Sequence, residues 1–416
     1  MSTSTSSTPR VDFVGDTGPV LRTGDTSFDA QLDRSLTAAM RGAADLGEVG
    51  ATAGRITPGD LGSWRHEWRT TADAVRAEGD ESLAAGHRVS ARRCFLRACE
   101  YYRQAFFFAR DDLTRQDLQD DYAAHVDAFR AAAALMDHHV ETMEIERDGV
   151  VAAGYLLRPA GPDALRPTVI APAGYDSTAE GGYLDAAVGA LEQGWNCLIV
   201  EGPGQGGVLY RRGLPLRPDF ETVLRPVVDW LVDRPGVDPA ALVLLGRSFA
   251  GYLAPRGVTG DDRIAALVCD PGQYDFGRAL RGRMGDAVWQ RVLDHDPTLD
   301  ADLAGLLADP QRANDFRCRM ATHGVSTLSD YFRALATFTL DGLADRITCP
   351  VLVLEPEGDF ASTGQSEPFV AAVGGPVTRH AFTAAEGAAG HCEGLGQFRF
   401  ERVVHDWIAT TLARPA

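Results

Sequence analysis

The spacing of apolar residues changes character once along the chain, near Val140. Before that point it follows a helical period. Phe95, Ala98, Cys99, Tyr102 and Phe106 recur at i, i+3, i+4, i+7 and i+11, which predicts one apolar face on a helix from Ser90 to Ala109, with Ser90 as its N-cap. Asp120–Met136 predicts a second, Ala-rich helix. Few β-branched runs interrupt residues 29–139, so this stretch is expected to be an N-terminal helical cap domain. Residues 1–28 are rich in Ser, Thr, Gly and Asp and are expected to form a disordered tail.

From Val140 the period shortens. Val140–Arg147 and Val150–Arg158 alternate like two strands, with Asp148-Gly149 as the hairpin turn between them. Short apolar runs then predict strands at Thr168–Ala171, Asn196–Val200, Leu242–Leu245, Ala265–Cys269, Val351–Leu354 and Thr378–Phe382. Helical stretches separate them, among them Tyr183–Gln193, Phe220–Val232 and Phe249–Arg256. An antiparallel start followed by repeated βα units predicts an α/β core over 140–416, a mostly parallel sheet with helices on both faces. Residues 276–345 break this rhythm with several helices and no strand, and read as a helical lid insertion.

Composition narrows the chemistry. The formal net charge of −18 argues against a nucleic-acid binder and against an electrostatic membrane anchor. All 40 basic residues are Arg; with no Lys there is no Schiff-base lysine and no phosphate-loop lysine. The seven Cys are scattered, without a C-x-x-C, so neither a disulfide framework nor a zinc site is expected. No apolar signal segment and no run long enough to span a bilayer is seen, so the expected location is the cytoplasm.

One segment carries a reactive group in a telling context. Leu242–Leu245 runs as a strand into Gly246-Arg247-Ser248-Phe249-Ala250-Gly251 and then a helix. A Ser on a strained strand-to-helix turn, with small residues on either side, is a nucleophile elbow. The usual last Gly of the motif is here Ala250, followed by Gly251. The base and the orienting acid should follow in the order acid, then His. Asp359 stands just past the strand Val351–Leu354, with Glu355 and Glu357 as rivals; His391 stands in the Gly-rich loop Glu386–Cys392. The expected oxyanion donors are the backbone N–H groups of Phe249 and Tyr175, the latter freed by Gly174. Asp176 or Ser177 would cap the next helix. Asp270 and Asp275, after the strand that follows the nucleophile helix, could orient substrate or relay a proton. Glu201–Gly207 matches a dinucleotide-binding Gly pattern only superficially, because of Pro203 and the lack of a clear following helix, and is expected to be a flexible loop. Phe106-Phe107-Phe108 is expected to be packing.

Beyond these motifs, several runs resemble one group of α/β-hydrolases. They are Gly246–Arg256, Arg263–Asp275, Ala173–Thr178, Glu201–Gly206 and the helical Ala91–Phe108. The group contains 2,6-dihydropseudooxynicotine hydrolase, fungal polyketide-shortening hydrolases and FrsA-like esterases. The resemblance implies an α/β-hydrolase fold whose helical N-terminal region joins the lid, with Ser248, Asp359 and His391 as triad. It implies an additional acid, with Asp270 or Asp275 as the nearest counterpart. The expected activity is hydrolysis of a C–C bond adjacent to a ketone in a β-diketone or vinylogous acyl compound, polyketide- or alkaloid-like, with no cofactor and no metal. The alternatives are a carboxylester hydrolase or acyltransferase on the same triad, or a catalytically idle binding protein. The expected partner is a small-molecule substrate, and a homodimer is compatible with the group.

Overall fold

The computed structural model describes residues 21–413 apart from 148, 163 and 362. Its centre is an eight-stranded sheet: β1 (His139–Arg147), β2 (Val150–Arg158), β3 (Arg166–Pro172), β4 (Asn196–Glu201), β5 (Val237–Arg247), β6 (Ile264–Asp270), β7 (Val351–Pro356) and β8 (Val377–Phe382). The order across the sheet is β1-β2-β4-β3-β5-β6-β7-β8. β1 pairs with β2 and β2 with β4 antiparallel, and every later pair is parallel. Arg147 opposes Val150, so the expected tight hairpin forms; Gly149 takes a φ of 78°, and Asp148 lies outside the described residues. The chain steps outward from β3 to β4, then returns to place β5 on the other side of β3. The carboxyl ends of β3 and β5 therefore flank the switch point, where open α/β sheets hold their ligands.

Each buried strand sends alternate side chains to opposite layers, as a strand covered on both faces must. Cys197 and Ile199 of β4 and Val243 and Leu245 of β5 join one apolar layer; Leu198, Val200, Leu242 and Leu244 join the other. The first layer continues into the N-terminal helices α1 (Thr26–Ala39), α2 (Leu46–Ala53), α3 (Leu61–Ala84), α4 (Arg88–Phe106) and α5 (Gln116–Ala133). Phe28, Trp64, Trp68 and Tyr101 thus share one core with β3, β4 and β5. The cap is fused to the sheet by continuous packing. The second layer packs the helices Glu221–Val232 and Ala250–Val258 together with the lid helices between Phe276 and Ala336.

Three expectations about local structure need correction. Residues 1–20 of the expected tail lie outside the described residues, but its last residues, 26–28, belong to α1, which begins at Thr26, where Asp25 accepts from the N–H groups of Ser27 and Phe28. The helix expected from Ser90 begins at Arg88, so Ser90 sits inside its first turn and His87 takes the cap position. Glu201–Gly207 is a tightly bonded turn leading into a short helix at Gly206–Tyr210. Glu201 accepts from the N–H groups of Ala179 and Gly207, and Gln205 accepts from that of Gly202 while donating to the Ala173 carbonyl. Those side-chain bonds fix a segment whose composition alone suggests freedom.

The predicted face of α4 is buried as expected, but so is part of its polar side. Glu100 and Arg103 pair at 2.7 Å inside the cap, with Ser35 donating to Glu100. Burial alone would lift the Glu100 carboxyl; Arg103 more than offsets it and holds it ionised below its ordinary value. Phe106 packs on Tyr122, His125 and Tyr210, and Phe108 on Phe28 and Trp64, so the Phe cluster is packing.

Candidate active site

Ser248 occupies the turn between β5 and the helix Ala250–Val258 with a φ of +57°, a conformation costly for a residue with a Cβ. Its N–H donates to the Asp270 carbonyl at 2.7 Å, and the Gly251 N–H donates to the Ser248 carbonyl at 2.9 Å. The neighbouring glycines have steric causes. A Cβ on Gly246 would lie 2.0 Å from the Ala250 carbonyl oxygen, and one on Gly251 would lie 2.0 Å from that of Pro271. The glycine that meets the Pro271 carbonyl is thus at position 251, not at 250.

The three residues read from chain order meet in space. Ser248 Oγ lies 2.8 Å from His391 Nε2, and His391 Nδ1 lies 3.0 and 3.1 Å from the two oxygens of Asp359. A carboxylate can only accept, so Nδ1 carries the proton and Nε2 presents its lone pair to the Ser248 hydroxyl. Asp359 is buried just beyond β7, where it also accepts from the Ala361 N–H. Its rivals are occupied elsewhere: Glu355 pairs with Arg379 of β8 at 2.7 Å, and Glu357 accepts from the Ala384 N–H. Among the described residues, Asp359, His391 and Cys392 offer donor atoms within 4.8 Å of one another. Both imidazole nitrogens already belong to the Ser–His–Asp chain, which suits proton transfer better than holding a cation.

The β3 loop runs alongside. A Cβ on Gly174 would touch the Ser248 Cβ at 3.3 Å, and the Tyr175 ring packs edge-on against Phe249 at 4.8 Å. This brings the Tyr175 loop beside the start of the helix Ala250–Val258, where Phe249 is the N-cap residue. The next helix is capped by Thr178, which accepts from the Gly181 N–H; neither Asp176 nor Ser177 takes that place. Asp176 instead meets Arg34 of α1 at 3.3 Å. Burial would raise its carboxyl, but Arg34, Arg110, His391 and Arg103 together hold it far below the usual range. The cap therefore sets part of the field around the site.

Residues 276–338 bring further aromatic rings up to this cluster. His323 and Tyr175 approach at 5.6 Å, His323 and Phe338 at 5.3 Å, and Phe249 meets Phe276 at 5.0 Å. Burial, with Arg319 nearby, pushes the His323 imidazole down to about 4, so it is neutral near pH 7. On the other side the half-exposed Phe360 ring lies 4.9 Å from His391. A surface depression of about 630 Å³ at the opposite end of the sheet, near Asp262, Ile264 and Cys349, is remote from Ser248.

Asp270 and Asp275 are placed apart from this chain. Asp270 is fully buried and accepts from Arg247 Nε at 2.9 Å. Asp275 caps the first lid helix by accepting from the Arg278 N–H, and its other oxygen accepts from Thr339 Oγ1 at 2.7 Å.

An α/β hydrolase from Xenoacremonium sinensis, xenA, is 33% identical over 356 residues, covering 79% of this chain and 81% of its own. The chain belongs to the α/β-hydrolase family. 20-hydroxy-prefusarin hydrolase FUS2 of Gibberella moniliformis is 32% identical over 333 residues, covering 77% of this hydrolase and 79% of its own length. Among solved structures, 2,6-dihydroxy-pseudo-oxynicotine hydrolase superposes with a TM-score of 0.71 at 21% identity, over 92% of this chain and 95% of that one. No family profile matches the sequence. The group named from sequence motifs is borne out, and the protein is a hydrolase. Among the described residues no helix is long and apolar enough to cross a membrane.

Proposed function

We propose that this hydrolase cleaves a C–C bond adjacent to a ketone through an acyl-enzyme on Ser248. The observation that carries the reading is the unbroken chain from Ser248 Oγ through His391 to the buried Asp359. His391 Nε2 takes the hydroxyl proton as Oγ attacks the carbonyl carbon. The amides of Phe249 and Tyr175 hold the oxyanion, the first at a helix N-terminus. Collapse breaks the C–C bond, and its electron pair leaves as an enolate conjugated with the second carbonyl. His391 returns the proton to that carbon. Water, activated by the same imidazole, then hydrolyses the ester on Ser248. Asp275 has no part in this proton transfer, since both of its oxygens are engaged by the lid. Asp270 does not touch substrate, since it is enclosed beneath Arg247.

Two features support this over simple ester hydrolysis. The rings of Phe276, His323 and Phe338 suit a large, unsaturated, partly apolar substrate and keep bulk water from a reactive enolate. The relative FUS2 is named a hydrolase of 20-hydroxy-prefusarin, and the chain is 32% identical to it. The test is a matched pair: an aryl β-diketone and the isosteric aryl ester, with products identified by mass. Cleavage of the diketone to a ketone and an acid, absent in Ser248→Ala, is expected. Turnover of the ester alone would establish a carboxylester hydrolase or acyltransferase instead.

A further inference from the structure

The loop that carries His391 is strained. Gly390, Cys392, Glu393 and Gly394 all take positive φ, and two of these residues bear side chains. A loop of this kind keeps its shape only if its surroundings impose it. The imposing group is Arg247, the residue before the nucleophile. Its Nη2 donates to the Cys392 carbonyl at 3.0 Å and to Glu393 at 3.3 Å, its Nε to Asp270 at 2.9 Å, and its Nη1 to Gln397 of the C-terminal helix at 3.0 Å. The guanidinium lies 4.0 Å from the centre of the Phe400 ring. One cation thus ties the end of β5, the end of β6, the His391 loop and the last helix together.

Two carboxylates against one guanidinium would leave the cluster with an excess negative charge. Asp270 and Glu393 are both completely buried against a single guanidinium, and each keeps one oxygen, Oδ1 and Oε1, that no donor among the described residues reaches. A proton shared between the two carboxyls removes both difficulties at once. We infer that Arg247, Asp270 and a neutral Glu393 form a positioning clamp that holds His391 against Ser248. This rests on the hydrolase reading above. The group that takes the proton is Glu393, because burial first and then the Asp270 carboxylate push its carboxyl far above the ordinary range, with Arg247 offsetting only part. The other titratable groups that face the cluster are Asp359, the Cys392 thiol and Asp185. The clamp acts through the loop backbone and touches no reacting atom.

The sign of the pH dependence follows. In the unfolded chain Glu393 loses its proton near pH 4, and in the folded chain only at alkaline pH. Stability is therefore lost progressively as pH rises across that interval. Glu393→Gln, which keeps the shape of a protonated carboxyl, should melt higher than wild type at neutral pH and lose less of its melting temperature as pH rises.

The experiment measures the rate at which a fluorophosphonate labels Ser248, with turnover of p-nitrophenyl acetate from pH 5 to 11. Glu393→Gln should label within threefold of wild type and lack the alkaline fall in rate. Glu393→Ala and Arg247→Met should label at least thirtyfold more slowly, with kcat falling and KM little changed. Equal rates for wild type and Arg247→Met, or Glu393→Gln as slow as Glu393→Ala, would overturn the clamp. If Arg247→Met gives no cooperative melt, the two Glu393 variants decide. A wild-type protein that fails to label at all would instead sink the serine-hydrolase reading, so the two failures are distinct.

Discussion

Ser248→Ala is expected to abolish turnover, by at least ~10⁴-fold in kcat, while leaving the melting temperature within about 2 °C of wild type. The effect is large because the Ser248 hydroxyl supplies both the attacking atom and the proton that His391 accepts across 2.8 Å. The stability change is small because a side chain one atom shorter leaves no large cavity at a half-exposed turn. His391→Ala should cost about as much, and the double variant no more than either alone, since groups that act as a unit lose their effect together. Asp359→Asn is expected to lower kcat by ~10⁴-fold with the fold intact. An Asn amide in that place can donate to Nδ1, which favours the tautomer with the proton on Nε2 and leaves Ser248 without a base. Steady-state kinetics on the substrate that wild type turns over, with thermal melts of each variant, checks the set. Residual turnover near wild type in Ser248→Ala would end the proposed mechanism.

The three residues that meet at Ser248 were legible because their signals are local. Gly246 and Gly251 bracket Ser248 within six residues, Asp359 follows an apolar strand, and His391 sits among glycines. The strand predictions held for the same reason: each run is short and flanked by turn residues, and the apolar runs of β3 to β7 lie in the buried centre of the sheet. The features that escaped prediction depend on residues far apart in the chain. Arg247 stood in the motif as an unassigned letter, since its partners lie 23 residues away at Asp270 and 146 away at Glu393. Asp270 pointed to chemistry because it ends a parallel strand, yet packing encloses it beneath that arginine. The cap is similar. Its helices were visible in the period of Phe95 to Phe106, but its fusion with the sheet through Phe28, Trp64 and Ile199 is a property of assembly.

The elbow itself yields the second large effect. Gly246→Ala is expected to cost about 3 kcal/mol or more in stability and to lower kcat by ~10²-fold in the fraction that still folds. The added Cβ would stand 2.0 Å from the Ala250 carbonyl oxygen and 2.7 Å from the Ala254 Cβ. Both atoms belong to the helix that follows Ser248, and the nearer is backbone, so no side-chain rotation can relieve the contact. The helix must shift away from β5, and Ser248 Oγ and the Phe249 amide shift with it, out of line with His391. Gly251→Ala should behave alike, because its Cβ would meet the Pro271 carbonyl oxygen at the same distance, 2.0 Å. Ala250→Gly makes the informative contrast. It restores the more usual small-residue motif but relieves no clash, and it places Gly at the start of a helix, so a loss of ~0.5–1 kcal/mol and activity within threefold of wild type are expected. Chemical denaturation of the three variants, with Ser248 labelling rates measured on the folded fraction, separates these outcomes. A Gly246→Ala protein as stable and as reactive as Ala250→Gly would mean that the elbow yields where the geometry says it cannot.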